Sequence, residues 1–462
     1  MSSFQAGRPG RAWTLHAFSA DITIPIGHPC MGGGIPPART ILDPLEGIGF
    51  VLSGGSLTKP IVFLSTDWCE IRNESYDALR SGLAEVAGTD PERVFLTAVH
   101  QHDAPVVDIA AQRLLEERGA PGAVCNVGFA EASVDLLATT LRSALDRPGR
   151  RVTHVGVGRA KVEGVASNRR YELPDGTVSY HRTSASLDPR AHAAPEGLID
   201  PWLRTLSFWD ADEPLLALST YAVHPMSHYG AGEVSADFIG MARRARQAAM
   251  PGVVQVYASG CSGNVTAGKY NDGSSGNRAV LAARIEAGMA EAWAQTKRQG
   301  LERAAFRSVE LRFGPRIGAG HTPEDLEARL ADDADPFDQC LAAMAVSWQR
   351  RVEAGRPIDL PVLEVGSAVL ALLPGEAYVE YQLLSQALRP DDFVMALGYG
   401  ECATGYIPTA AQIAEGDENL GAWYWVAESA ERVLTEGLQR ALRKDPQPVT
   451  RSLSPSRSTG SP

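Results

Sequence analysis

The 462-residue chain has no long hydrophobic run. Crossing a bilayer takes about 18 or more apolar residues in a row, so no membrane span is expected. The stretch from Met1 to Trp13 carries two arginines but no apolar core, which speaks against a secretory signal. Cysteine is also scarce. Cys30, Cys69, Cys125, Cys261, Cys340 and Cys402 form no CxxC pair and no regular spacing. That excludes a zinc ribbon and a dense disulfide frame and leads us to expect free thiols in a cytoplasmic protein. Positive charge is in short supply too. Forty-three Lys and Arg face 55 Asp and Glu, for a formal net charge of -12. No basic stripe occurs, so nucleic acid is not an expected partner. No internal repeat stands out.

With 44% hydrophobic residues, the chain has ample material for a core. Short β-type runs alternate with amphipathic helical segments. Strands are expected at Pro60–Ser65, Arg93–Val99, Leu215–Val223, Val253–Ala258, Leu363–Leu373 and Phe393–Leu397. Helices are expected at Tyr76–Ala87, Phe238–Ala248 and Val426–Arg443, among others. This alternation predicts an α/β fold, a mixed β-sheet core with flanking helices. Residues 15–443 would form the folded domain, with a flexible N-terminus at 1–14. The Ser- and Pro-rich residues 444–462 read as a disordered tail. The polar stretch Asn168–Leu198 reads as a long loop, functional or disordered.

Only ten histidines are present, and two of them form His100-Gln101-His102 where the apolar run Val94–Val99 ends. On a strand, residues i and i+2 share a face, so two imidazoles would converge at a strand mouth. His224 leaves the run Leu215–Val223 in the same way. Glu376 follows the run Val369–Leu373 and Pro374-Gly375, at the start of a helix-like segment Ala377–Ala387. Tyr406 lies in a glycine-rich segment, as a ligand or as a buried aromatic with its hydroxyl paired. Two or three histidines plus one carboxylate, with an open position, is the pattern of a catalytic Zn²⁺. Gly260-Cys261-Ser262-Gly263 is not the G-x-S-x-G elbow. A loop that shapes the pocket is the preferred reading there, with Cys261 as nucleophile the alternative.

In its motifs the chain resembles the neutral/alkaline (non-lysosomal) ceramidase family, over most of residues 15–430. The matching segments are Asp21-Ile22-Thr23 with Met31-Gly32-Gly33, His100-Gln101-His102, Asn168-Arg169 and Ala222-Val223-His224. Further along they are Ser235-Ala236-Asp237, Gly263-Asn264-Val265-Thr266, Pro374-Gly375-Glu376 and Gly405-Tyr406-Ile407. The resemblance implies hydrolysis of an N-acyl amide with one zinc. It implies that His100, His224, Glu376 and Tyr406 hold the metal. His102 would then face the substrate carbonyl and Arg169 would bind or polarise it. Thr266 stands where the family has a serine. Asp103 stands where it has another serine, as a general base or a partner for an imidazole. The family's C-terminal immunoglobulin-like domain has no counterpart here. The expected partner is a small-molecule or lipid-like N-acyl amide substrate.

Other readings share these residues. An esterase, lactonase or deacetylase would use the same metal. A metallo-β-lactamase-like protein is a weaker variant, since HxHxDH needs an Asp and a His where Ala104 and Pro105 stand. A metal-dead binding protein would have been free to lose the ligand set.

Overall fold

The computed structural model describes residues 12–444. The flexible start expected at 1–14 and the tail expected at 444–462 fall largely outside these residues. Trp13 and Thr14, however, already belong to the first strand.

Three sheets form the centre, where the sequence suggested one. The first contains β1 (Trp13–Asp21), β2 (Glu46–Ser53), β3 (Ile61–Thr66), β4 (Val94–Ala98) and β5 (Arg150–Val152), in the order β4-β3-β2-β1-β5. The second contains β6 (His154–Lys161), β7 (Trp202–Asp210), β8 (Glu213–Tyr221), β9 (Val254–Ser259) and β10 (Lys297–Gly300), in the order β9-β8-β7-β6-β10. The third contains β11 (Ala304–Leu311), β12 (Ile358–Val365), β13 (Ala368–Leu372) and β14 (Phe393–Leu397), in chain order.

The three sheets repeat one topology. Each is an antiparallel meander that ends in a single parallel pair: β3 with β4, β8 with β9, and β13 with β14. Parallel neighbours need a crossover, and a helix supplies each one. These are Asn73–Ala87, Asp237–Ala249 and Val379–Leu388. The repeat is one of topology, with no repeated motif long enough to stand out, so the sequence did not show it.

Alternation along the strands explains the layering. In β13, Ala368, Leu370 and Leu372 join a core shared by all three sheets, including Phe50, Phe63, Phe208 and Met395. Val369, Ala371 and Leu373 face the opposite way, toward the helices. A period of two is what puts alternate residues on opposite faces. The run read as one strand at Leu363–Leu373 is instead a hairpin. Val365 pairs with Ala368 across a two-residue turn, and Gly366 takes φ +59° there, a backbone state glycine adopts without strain.

The C-terminal ends of the parallel pairs are tied in a ring. Ala98 N–H donates to Tyr399 O at 3.0 Å and Gly398 N–H to Ser259 O at 2.9 Å. Ser259 Oγ closes the ring by donating to Val99 O at 2.7 Å. Carboxyl ends of parallel strands are where α/β proteins place their sites. No helix among the described residues is long and apolar enough to cross a membrane.

Candidate metal centre

Each sheet sends one side chain to the same point. His100 follows β4, His224 follows β8 and Glu376 follows β13. All three are buried, and their ligand atoms lie within 4.8 Å of one another. His100 Nε2 is 3.1 Å and His224 Nε2 is 2.9 Å from the same oxygen, Glu376 Oε2.

The backbone reaches this arrangement by a different route from the one the HxH spacing suggested. The strand ends at Ala98, and His100 has φ +71°. It is this left-handed turn, not the pleat, that brings the His100 and His102 rings within 5.1 Å. Tyr399 (φ +57°) and Met31 (φ +48°) adopt the same region nearby. Residues held there cost about 1–3 kcal/mol each and cluster at functional sites. Glu376 is not the first residue of a helix. It sits in a two-residue parallel bridge in register with Tyr406, and the helix begins at Val379.

Hydrogen bonds fix the tautomers. His100 Nδ1 donates to Cys69 O at 3.0 Å and His224 Nδ1 to Ser262 O at 2.5 Å. A carbonyl can only accept, so both Nδ1 atoms carry the proton. The neutral rings therefore aim two Nε2 lone pairs at a carboxylate oxygen. Such contacts repel unless a cation, a proton or a metal, lies between them. This donor set of two imidazole nitrogens and one carboxylate, with backbone carbonyls orienting both rings, fits a divalent transition metal. Without a metal, protons take its place. Burial alone would raise the Glu376 carboxyl, but His100 and His224 hold it far below the usual range. Burial lowers His224 to about 4, with Arg169 adding to the effect. His100 is raised, because Glu376 outweighs burial.

A cavity of about 40 Å³ adjoins the cluster, lined by His100, His102, Glu376 and Tyr406. Cys69, Glu70 and the half-buried Met31 and Trp423 complete its wall. That volume holds only a few non-hydrogen atoms. His102 Nδ1 is buried with no partner. Burial, reinforced by His100 and His224, holds its pKa well below 6.5, so the ring stays neutral. Arg169 Nη1 donates to the Tyr406 hydroxyl at 2.7 Å, while Arg169 Nε has no partner. Arg169 lies in the segment read as a long loop, which is built from three two-residue bridge strands and a short helix.

Two expected site residues stand apart. Asp103 was expected as a base or an imidazole partner, but its carboxylate accepts the Gly230 amide at 3.2 Å. Burial raises it to about 6. The folded state thus binds the Asp103 proton more tightly than the unfolded chain. The resulting stability is complete below about pH 4 and is lost as pH rises through about 6. Asp103→Asn should therefore gain about 1–3 kcal/mol over the wild type at neutral pH and nothing at pH 4, with hydrolysis little changed. Denaturant melts at the two pH values check this; parallel profiles would contradict it.

Thr266 is the second. Its Oγ1 donates to Thr183 O at 2.6 Å and accepts the Gly268 amide at 3.1 Å, so it pins loops rather than reacting. Cys261 is fully buried, and burial pushes its thiol upward. The reactive form is the thiolate, so Cys261→Ala should keep activity within about threefold; loss of turnover with metal retained would revive the nucleophile reading. The surrounding loop does shape the pocket, since Ser262 orients His224 through its carbonyl and Tyr399 through its hydroxyl at 2.7 Å.

Tyr399 and Glu70 were missed. Tyr399 stacks on His100 with centroids 4.3 Å apart. Glu70 lines the cavity. Its signal was position, four residues past the end of β3, just as Glu376 is four past the end of β13.

Comparison with solved structures bears on the fold. The neutral ceramidase from Pseudomonas aeruginosa superposes with a TM-score of 0.70 at 18% identity, over 94% of this chain and 74% of that one. A ceramidase complexed with C2 gives 0.67 at 17% identity, over 94% and 75%. The fold is that of the neutral ceramidases. No family model matches the sequence, and no curated protein matches it. Of the four residues that the motif resemblance picked as ligands, His100, His224 and Glu376 lie together, and Tyr406 lines the adjoining cavity.

Proposed function

We propose that this chain is a zinc-dependent hydrolase of an amide bond in a small or lipid-like N-acyl substrate. The observation that carries this is the pair of Nε2 lone pairs aimed at one Glu376 oxygen. His100, His224 and Glu376 would hold the ion, with Tyr406 as a fourth ligand from the adjacent bridge strand. Zinc supplies a water acidified toward a pKa of about 7 and a Lewis acid for the carbonyl.

The protein's own groups divide the remaining work. The neutral His102 ring, with its free Nδ1, hydrogen-bonds the substrate carbonyl. Arg169 is cationic, and its free Nε donates to the oxygen on which negative charge develops. The Arg169 bond to the Tyr406 oxygen favours negative charge there, which suits a ligand. The proton that the departing amine needs would come from the attacking water, with the neutral His102 ring taking it up and passing it on. Phe337 and Trp423, with ring centroids 6.0 Å apart, offer an apolar surface beside the cavity to the part of the substrate that stays outside it.

The test is a panel of N-acyl amides and matched esters, assayed before and after chelation. We expect amide cleavage that chelation removes and zinc restores. Amide cleavage that survives complete removal of metal would overturn the proposal.

A further inference from the structure

Glu70 is the buried acid that the proposed chemistry leaves unused. Its Oε2 accepts from Arg72 Nη1 at 2.7 Å. Its Oε1 is buried without any partner, yet Glu70 lines the cavity shared with His100, His102, Glu376 and Tyr406. A carboxylate oxygen left unpaired in the interior is costly unless something fills the place.

The topology makes the position specific. Glu376 begins a two-residue parallel bridge just past β13, in register with Tyr406. Glu70 begins the matching bridge just past β3, in register with Val106. The same structural device thus delivers one acid to the cluster and a second acid to the cavity. Glu70 is outside the three-residue cluster. Its Oε1 lies 4.0 Å from His100 Nδ1, on the side of the ring away from Glu376. It is therefore placed to read what enters the cavity rather than to hold the ion. Arg72 keeps it there, with no exposure of its own, over the Trp425 ring at 4.4 Å.

We infer that Glu70 selects the substrate, its free oxygen accepting a hydrogen bond from an ammonium or hydroxyl group on a small acyl fragment. This rests on the amide-hydrolase reading. The cavity of about 40 Å³ admits only a small fragment, so the acyl part that enters it is short. A site built around a buried acceptor rejects analogues without the donor, because the acceptor is then left unpaired.

The experiment is calorimetric binding of three hydroxamates to the zinc-loaded full chain. Glycine hydroxamate carries an ammonium, glycolohydroxamate a hydroxyl, and propionohydroxamate neither. At least one donor-bearing compound should bind about tenfold or more tighter than propionohydroxamate. Preference for the glycine compound alone identifies a cation; equal preference identifies a hydroxyl-type donor. In Glu70→Gln the glycine preference should fall at least about fivefold, with zinc content and propionohydroxamate affinity unchanged. If that variant does not fold, Glu70→Asp, which keeps a carboxylate for Arg72 but shortens the reach of the free oxygen, reads the same ratio. No donor preference in the wild type, or a preference that survives loss of Glu70, overturns the inference alone. A chain that takes up no zinc overturns the hydrolase reading and this inference with it.

Discussion

His224→Ala is expected to lose the metal and at least about a thousandfold in kcat/KM. The loss follows from geometry. His224 supplies one of two Nε2 atoms on Glu376 Oε2 and is held by the Ser262 carbonyl. Removing it leaves one imidazole, one carboxylate and the Tyr406 phenol, too weak a set for tight zinc binding. Several kcal/mol of transition-state stabilisation go with the ion, and each 1.36 kcal/mol is a factor of about ten. Elemental analysis and steady-state kinetics on the same preparation check this. A variant that keeps both metal and rate would show that the ligand assignment is wrong.

Arg72→Met is expected to cost about 3–5 kcal/mol of stability, the range for removing one partner of a buried ion pair. Arg72 is wholly enclosed. It bonds Glu70 at 2.7 Å, approaches Asp108 at 3.6 Å and donates to Ala403 O at 3.1 Å. The methionine would leave two buried carboxylates without their cation. Asp108 also accepts from Asn73 Nδ2 at 2.8 Å, and Asn73 N–H donates to Glu401, so the disturbance would spread along the acids behind His100. Denaturant unfolding measures it. A change below about 1 kcal/mol would show that the cluster is not stabilised as described.

The cluster of His100, His224 and Glu376 was legible because strand ends are. His100, His224 and Glu376 each follow an apolar β-type run closed by a breaker, and those runs became β4, β8 and β13. Phe393–Leu397 is a strand with the expected bounds. Strands such as β2 were harder to see, because Gly47 and Gly49 dilute their β-character. Gly49 is needed there, since a Cβ would lie 2.2 Å from Phe63 O. How strands pair could not be read at all, which is why one sheet was expected and three are present. The roles expected of Asp103 and Thr266 came from aligned positions, and position says nothing of where a side chain points. Glu70 carried no motif. Only the matched bridges after β3 and β13 reveal it.

The measurement closest to the central claim is the metal content of purified wild-type protein, by elemental mass analysis after equilibration with zinc and removal of excess. The geometry of His100, His224 and Glu376 predicts about one zinc per chain. A folded protein that retains no metal would contradict the account.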